Sequence, residues 1–157
     1  MSDTNKLVDR VFLGGTCNDS KWRDLLEPML ERPTFNPVVA IWTKYALENE
    51  LKQRRECGII LYTITPVMNG VYSIAEVVED SILAYLENNY GKEGVGYKHV
   101  VFTIIGSDST TGEDAKFSEH QLKSLEAVSA MVAKYGVKTF RNLKDTAKYI
   151  NGLPKVE

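Results

Sequence analysis

The sequence predicts an α/β protein: a flavodoxin-like three-layer sandwich on a five-stranded parallel sheet of order 2-1-3-4-5. Three observations lead there. Short apolar, β-branched runs alternate with longer stretches of helical periodicity, the pattern of a parallel sheet with crossover helices. Two of the runs, Ile59 to Ile64 and His99 to Ile105, have the length and composition of buried strands. Five such runs can be placed in all, which suits the 2-1-3-4-5 order. In that order the first and third strands are neighbours, and the loops at their carboxyl ends share one crevice.

Taken in order, Lys6 to Leu13 reads as the first strand, ended by Gly14-Gly15-Thr16. Asn18, Asp19 and Ser20 offer N-caps for a helix, WRDLLEPMLER, in which Pro28 removes a donor and marks a kink or weak point. Thr34 to Val39 is a short strand, and Pro37 suits an edge or a strand end. Tyr45 to Glu56 is a charged helix with a thin apolar stripe of Ala46, Leu47 and Leu51. After the central strand, Thr65, Pro66, Asn69 and Gly70 break the pattern. From Tyr72 the apolar residues Ile74, Val77, Val78, Ile82 and Tyr85 follow helical spacing, with Ser73 as N-cap and Glu76 in the first turn. The residues 91–97, GKEGVGY, connect to the strand His99 to Ile105, and a polar loop, GSDSTTGEDAK, follows. Ser118 to Tyr135 is a helix with an apolar face of Leu122, Leu125, Val128, Met131 and Val132, and Gly136 is its C-cap. Val137 to Phe140 and Leu143 to Ile150 make the last strand and helix.

The 157 residues are read as one domain, with 43% hydrophobic and 25% charged content of ordinary globular type. A formal charge of −2 gives no electrostatic case for a nucleic-acid polymer as partner. No apolar run has membrane-spanning length, and MSDTNK is not a secretory signal, so the expectation is a cytoplasmic protein with no membrane partner. Two cysteines, Cys17 and Cys57, do not make a disulfide scaffold, and His99 and His120 lack the spacing of a zinc site, so no metal is expected.

Ligands in open α/β sheets collect at the carboxyl ends of the strands, which places the chemistry in the two loops of the shared crevice. GGTCNDSKW sets two glycines and small polar residues before a helix, where backbone N–H groups can approach an anionic or hydroxyl-rich ligand. A tight turn and a capped helix account for the same residues. The stretch is neither GxGxxG nor a P-loop, so a dinucleotide fingerprint is not supported. Glu76, near a helix N-terminus at the crevice, is a candidate nucleophile or base. Glu79 and Asp80 lie one turn on and can raise its pKa by like-charge repulsion, although solvated helix acids are the simpler account of both. Tyr72 can position the nucleophile by hydrogen bonding, and Asp108 at the same edge can bind a ligand hydroxyl or simply solvate its loop. Trp22 and Trp42 can stack on a base, the alternative being core packing. Cys17 has no histidine near it in sequence. Arg54-Arg55-Glu56 reads as a charged helix end.

Through VFLGGTCNDSKWR, FNPVV and RRECGIILYTITPVMNGVYSIAEVVEDS, the chain resembles the nucleoside 2-deoxyribosyltransferase-like proteins, in the branch with GGTC and YSIAEV motifs. The resemblance covers roughly the first half. It implies an oligomeric α/β sandwich, without a cofactor, that cleaves or exchanges the N-glycosidic bond of a nucleoside or nucleotide. The family's catalytic glutamate falls on Glu76, whose carboxylate would attack the anomeric carbon and form a glycosyl-enzyme. A second base or water would then resolve it. Tyr72 and Asn69 are the other expected catalytic residues. Gly14, Gly15, Thr16, Ser20 and Trp22 from the first loop, Pro66, Met68, Gly70 and Ser73 from the second, and Asp108 are the expected ligand contacts. One departure stands out: the transferases carry an aspartate shortly before the glutamate, whereas Pro66 to Ser73 contains no acid. Asn69 can hydrogen-bond a base or sugar but cannot donate as a carboxylic acid. Two alternatives remain, an enzyme that removes nicotinamide from NAD and a nucleotide-binding sensor without turnover.

Overall fold

Five strands, β1 (Val8–Gly15), β2 (Thr34–Phe35), β3 (Cys57–Ile64), β4 (His99–Ile104) and β5 (Lys138–Phe140), lie parallel in the order β2-β1-β3-β4-β5. The computed structural model describes residues 6–17, 20–106, 113 and 115–156. The helices are α1 (Trp22–Leu26), α2 (Lys44–Glu56), α3 (Tyr72–Tyr90), α4 (Glu119–Ala133) and α5 (Leu143–Asn151). This is the flavodoxin-like arrangement that the alternating pattern predicts.

Every residue of β3 is buried, because it has a strand on each side and helices on both faces. Its side chains alternate between two cores. Ile59 and Leu61 meet Trp22 and Leu26 of α1 and Leu143, Ala147 and Ile150 of α5. Ile60, Tyr62 and Ile64 face the other way, toward Val77 and Ala84 of α3 and Leu125 and Val132 of α4. Burial of each large aliphatic side chain contributes about 1.5–3 kcal/mol. The hydrophobicity of β3 on both faces is thus what fixes it at the centre of the sandwich. Among the described residues, no helix is long and apolar enough to cross a membrane.

Several boundaries differ from the sequence-based ones. The first strand runs on through Gly14 and Gly15, which pair with Tyr62 and Thr63 of β3 rather than forming a turn. Their lack of a side chain is required by this contact. A Cβ on Gly14 would lie 2.5 Å from a ring carbon of Tyr62, and Gly15 has φ of +120° with a Cβ position 2.0 Å from the Thr63 carbonyl oxygen. Gly15→Ala is therefore expected to destabilise the fold by about 2 kcal/mol or more. Urea unfolding of that variant, showing a loss of under half that, would contradict the packing argument.

Helix α1 is short. It gives way to a 3-10 turn, Glu27–Met29, at Pro28, and its N-cap is Lys21, with no capping side chain; Asn18 and Asp19 lie outside the described residues. Strand β2 stops at Phe35, before Pro37. Helix α2 starts under a Thr43 cap whose hydroxyl accepts from the Ala46 N–H at 3.1 Å. Its expected apolar residues Leu47 and Leu51 are exposed, and Arg54 is buried instead. Helix α3 begins at Tyr72 with Val71 as N-cap, so Ser73 is inside the helix and does not cap it. Glu76 is its fifth residue, beyond the first turn. Ser118 and Gln121 form a capping box on α4.

Candidate active site

Between β1 and β3 the chain departs to opposite faces, α1 joining one core and α3 the other. Such a switch point opens a crevice at the carboxyl ends of the strands. The crevice here is a cavity of about 330 Å³, toward the small end of ligand sites, about 300–1,000 Å³. Gly14 and Gly15 line it from β1, Cys17 and Arg23 from the loop and α1, Glu50 from α2, and Tyr72, Ser73 and Glu76 from α3. Pro37, Val38, Val39 and Trp42 complete an apolar wall. The arrangement is two carboxyl groups inside an otherwise largely apolar pocket.

Glu76 is only 7% exposed. Burial pushes its carboxyl up to about 8, against the pull of the neighbouring Arg54 guanidinium, with the Glu50 and Asp80 charges adding to the rise. Glu50 is raised as well, again first by burial, and it lines the same cavity as Glu76. Burial raises both carboxyls, and the Glu50 charge raises Glu76 further, so Glu76 is the one that keeps its proton to higher pH.

Behind Glu76 lies a second layer of charge. Arg54 donates to Asp80 through Nε, at 3.1 Å, and Nη2, at 2.9 Å, and its Nη1 sits 3.3 Å from Glu76 Oε2. Among the described residues that Oε2 has no hydrogen-bond partner. Nη2 also reaches Glu79 at 3.2 Å, on a largely exposed side chain. The Tyr62 hydroxyl donates to Asp80 at 2.5 Å, and burial together with the Asp80 and Glu76 charges holds that phenol well above its ordinary range. Asp80 is therefore a buried acceptor for three donors, not the solvated helix acid expected. Arg54 is likewise not a charged helix end.

Arg23 closes the opposite wall. Its guanidinium donates to the carbonyl oxygens of Leu13 at 2.9 Å and Thr16 at 2.7 Å and lies 4.4 Å over the Trp22 ring. These bonds satisfy the carbonyls left open where β1 ends, and burial lowers the Arg23 pKa.

The expected site residues divide. Glu76, Tyr72, Ser73, Gly14 and Gly15 do line the cavity, and so do Cys17 and the exposed Trp42. Tyr72 is exposed and makes no hydrogen bond with Glu76. Trp22 is fully buried in the core beneath α1, its indole N–H bonded to the Thr16 carbonyl at 2.8 Å, so its ring has no face open to stack on a base. Thr16 is buried and structural: its hydroxyl accepts the Thr65 N–H at 2.9 Å. Ser20 touches Thr65 at 3.4 Å. Pro66, Asn69 and Gly70 do not line the cavity, and Met68 packs toward an apolar groove between α3 and α4. Asp108 lies outside the described residues. Neither His99 nor His120 lines the cavity. Among the described residues no group of three or more His, Cys, Asp or Glu side chains could hold a metal ion.

Sequence reasoning missed Glu50 and Tyr62 as members of the site, and it preferred a solvated role for Asp80 and Arg54, although the like-charge effect it allowed Asp80 on Glu76 is present. A signal existed: Glu50 and Arg54, like Glu76 and Asp80, are spaced i, i+4 and so share a helix face. That α2 and α3 turn those faces toward each other follows only from the packing. Comparison of the chain with family models, with curated proteins and with solved structures gives no match.

Proposed function

We propose that the protein cleaves or exchanges the N-glycosidic bond of a nucleoside or nucleotide, with Glu76 as nucleophile. The observation that carries this is the carboxyl pair: Glu76 and Glu50 in one small, largely apolar cavity, both pushed up by burial. A retaining displacement needs one carboxylate and one carboxylic acid. Glu76 first passes its proton to Glu50; its Oε then attacks C1′ and the C1′–N bond breaks. Its electron pair leaves with the base, which takes the proton from Glu50. The resulting glycosyl ester is opened by a second base, giving exchange, or by water, giving hydrolysis. Glu50 then supplies the acid that the segment Pro66 to Ser73 lacks. The exposed Trp42 at the apolar wall suits the face of a heterocyclic base.

The test is chromatographic. Protein is incubated with deoxynucleosides, deoxynucleotides and NAD, with and without a second free base. Release or exchange of a base supports the assignment, and acceptor dependence separates transfer from hydrolysis. Nicotinamide release alone would favour the NAD-cleaving alternative, and binding without turnover a sensor. Glu50→Gln, which cannot donate a carboxylic proton, is expected to slow base release by about 10²–10⁴-fold. The loss should shrink for a substrate whose leaving base needs no protonation. An equal loss with both substrates would remove Glu50 from the acid role.

Self-association belongs to the same proposal. Ile41 and Tyr45 flank Trp42 and are 77% and 78% exposed, and large exposed apolar side chains side by side mark contact surfaces. Light scattering is expected to give a mass of at least twice the 17.7 kDa chain. A monomer at every concentration tested would exclude it.

A further inference from the structure

The two carboxyl groups of the crevice have acceptor capacity that the neighbouring cations do not use. Arg54 gives its Nε/Nη2 edge to Asp80 as a two-point bond, which fixes the guanidinium plane. Only Nη1 is left near Glu76, at 3.3 Å, and the buried Glu76 Oε2 has no hydrogen-bond partner among the described residues. Such an oxygen costs free energy until a ligand supplies a partner. Arg23, on the opposite wall, donates its N–H groups to the carbonyl oxygens of Leu13, Gly15 and Thr16. Glu50, half-buried on α2, lines the same cavity. Aromatic surface is open there too. Trp42 and Tyr72 both line the cavity, and they are 55% and 62% exposed.

An aromatic face attracts positive charge through its ring quadrupole, and a carboxylate away from water attracts it more strongly. We propose that the crevice selects a positively charged heteroaromatic ring: Trp42 stacks on its face while the carboxyl groups of Glu50 and Glu76 meet its charge. The preferred substrate is then a nucleoside or nucleotide whose base carries a fixed positive charge, such as an N-alkylated purine. This rests on the glycosidic reading for its catalytic meaning, but not for its test. Placement also sets the orientation of the ligand. Arg23 repels a cation from the β1 side, so the charge faces α2 and α3. The chemistry fits the same class. When the C1′–N bond breaks, its electron pair neutralises the ring, and the base leaves uncharged without taking a proton. Glu76 is left as the glycosyl ester, which water or a second base opens as before.

A matched pair of rings isolates the charge. N-methylquinolinium and 4-methylquinoline are alike in size, and only the first is a cation at pH 8.5. That pH lies above the value of about 8 to which burial raises Glu76, so its carboxyl is mostly ionised. The cation is expected to bind about tenfold more tightly than the neutral ring. Glu50→Gln and Glu76→Gln, which keep the size but not the charge, should each cut that ratio to about threefold. Trp42→Leu, which keeps an apolar wall but no ring, should weaken the cation more than the neutral ring. A purely structural role for these residues would change both ligands alike.

The measurement is an NMR titration of ¹⁵N-labelled protein that follows the Trp42 indole N–H, assigned by its loss in Trp42→Leu. It needs no turnover, so failure of the glycosidic assignment and failure of this one are separable. Trp42 is exposed and Glu50 half-buried, so neither substitution threatens the core; if Glu76→Gln unfolds, Glu50→Gln decides. Saturable binding of N-methylquinolinium that shifts the Trp42 signal, with a preference that falls in the carboxyl variants, supports the site. Equal affinities for the two rings, or no saturable binding of the cation, would overturn the proposal. So would binding that leaves the Trp42 signal unmoved, or a preference unchanged by both Glu50→Gln and Glu76→Gln.

Discussion

Glu76→Gln is expected to lower base release and exchange by on the order of 10⁴-fold or more while the protein remains folded. The substitution is nearly isosteric, but an amide oxygen is a poor nucleophile toward C1′ and cannot carry the negative charge that the glycosyl ester forms from. Folding should tolerate it because the two-point bond between Arg54 and Asp80 does not involve Glu76, and because Glu76 contributes a buried polar group, not apolar packing, to α3. Time-resolved chromatography of base release, paired with circular dichroism, checks both halves. Activity within tenfold of wild type would reassign the nucleophile, and the exposed Cys17 on the same cavity wall would be the next residue to test.

Stability should fall as pH is raised from about 5 to about 8, and Glu76→Gln should remove most of that fall. The sign follows from the protons. Burial raises the Glu76 carboxyl in the folded protein to about 8, from an ordinary 4.5. Between those values the folded state holds a proton that the unfolded chain has released, so each step up in pH favours unfolding. The contribution is complete below the unfolded value and is lost as pH passes the folded one. At about 1.4 kcal/mol per pKa unit the ceiling is roughly 4–5 kcal/mol. Because Glu50 and Glu76 influence each other's ionisation, the titration spreads over both and the contribution is smaller, so a loss of about 2 kcal/mol is expected. Urea unfolding of wild type and variant at pH 5.5 and 8.5 isolates the effect, because background titrations cancel in the difference. Parallel pH dependences would mean that Glu76 is ionised throughout.

Much of this was legible in the chain. Burial on both faces demands an unbroken apolar run, so β3 announces itself; alternation with helical periodicity gives the parallel sheet, and Thr65 to Gly70 mark where β3 must stop. The position of Glu76 on the helix that follows needs only local spacing. The role of Gly14 and Gly15 was less legible, because a glycine pair reads as a turn until the ring of Tyr62 and the carbonyl of Thr63 are seen against it. Trp22 shows the same limit: indole rings stack on ligands and fill cores equally well, and only its burial beneath α1 separates the two.

What the sequence determined alone is therefore the sandwich, its central strand and a carboxylate at the sheet edge, all consequences of nearest-neighbour periodicity and turn chemistry. Tertiary structure alone decided which charges meet that carboxylate. Hydrophobic spacing locates the face of a helix that leaves water, but Glu50 and Arg54 carry no apolar signature, and on α2 they look like solvated charges. The burial of Arg54 and the half-burial of Glu50 depend on the side chains of α2 reaching across to Glu76 and Asp80 of α3. Electrostatic coupling depends on through-space distance and local dielectric, and those exist only once the chain has folded.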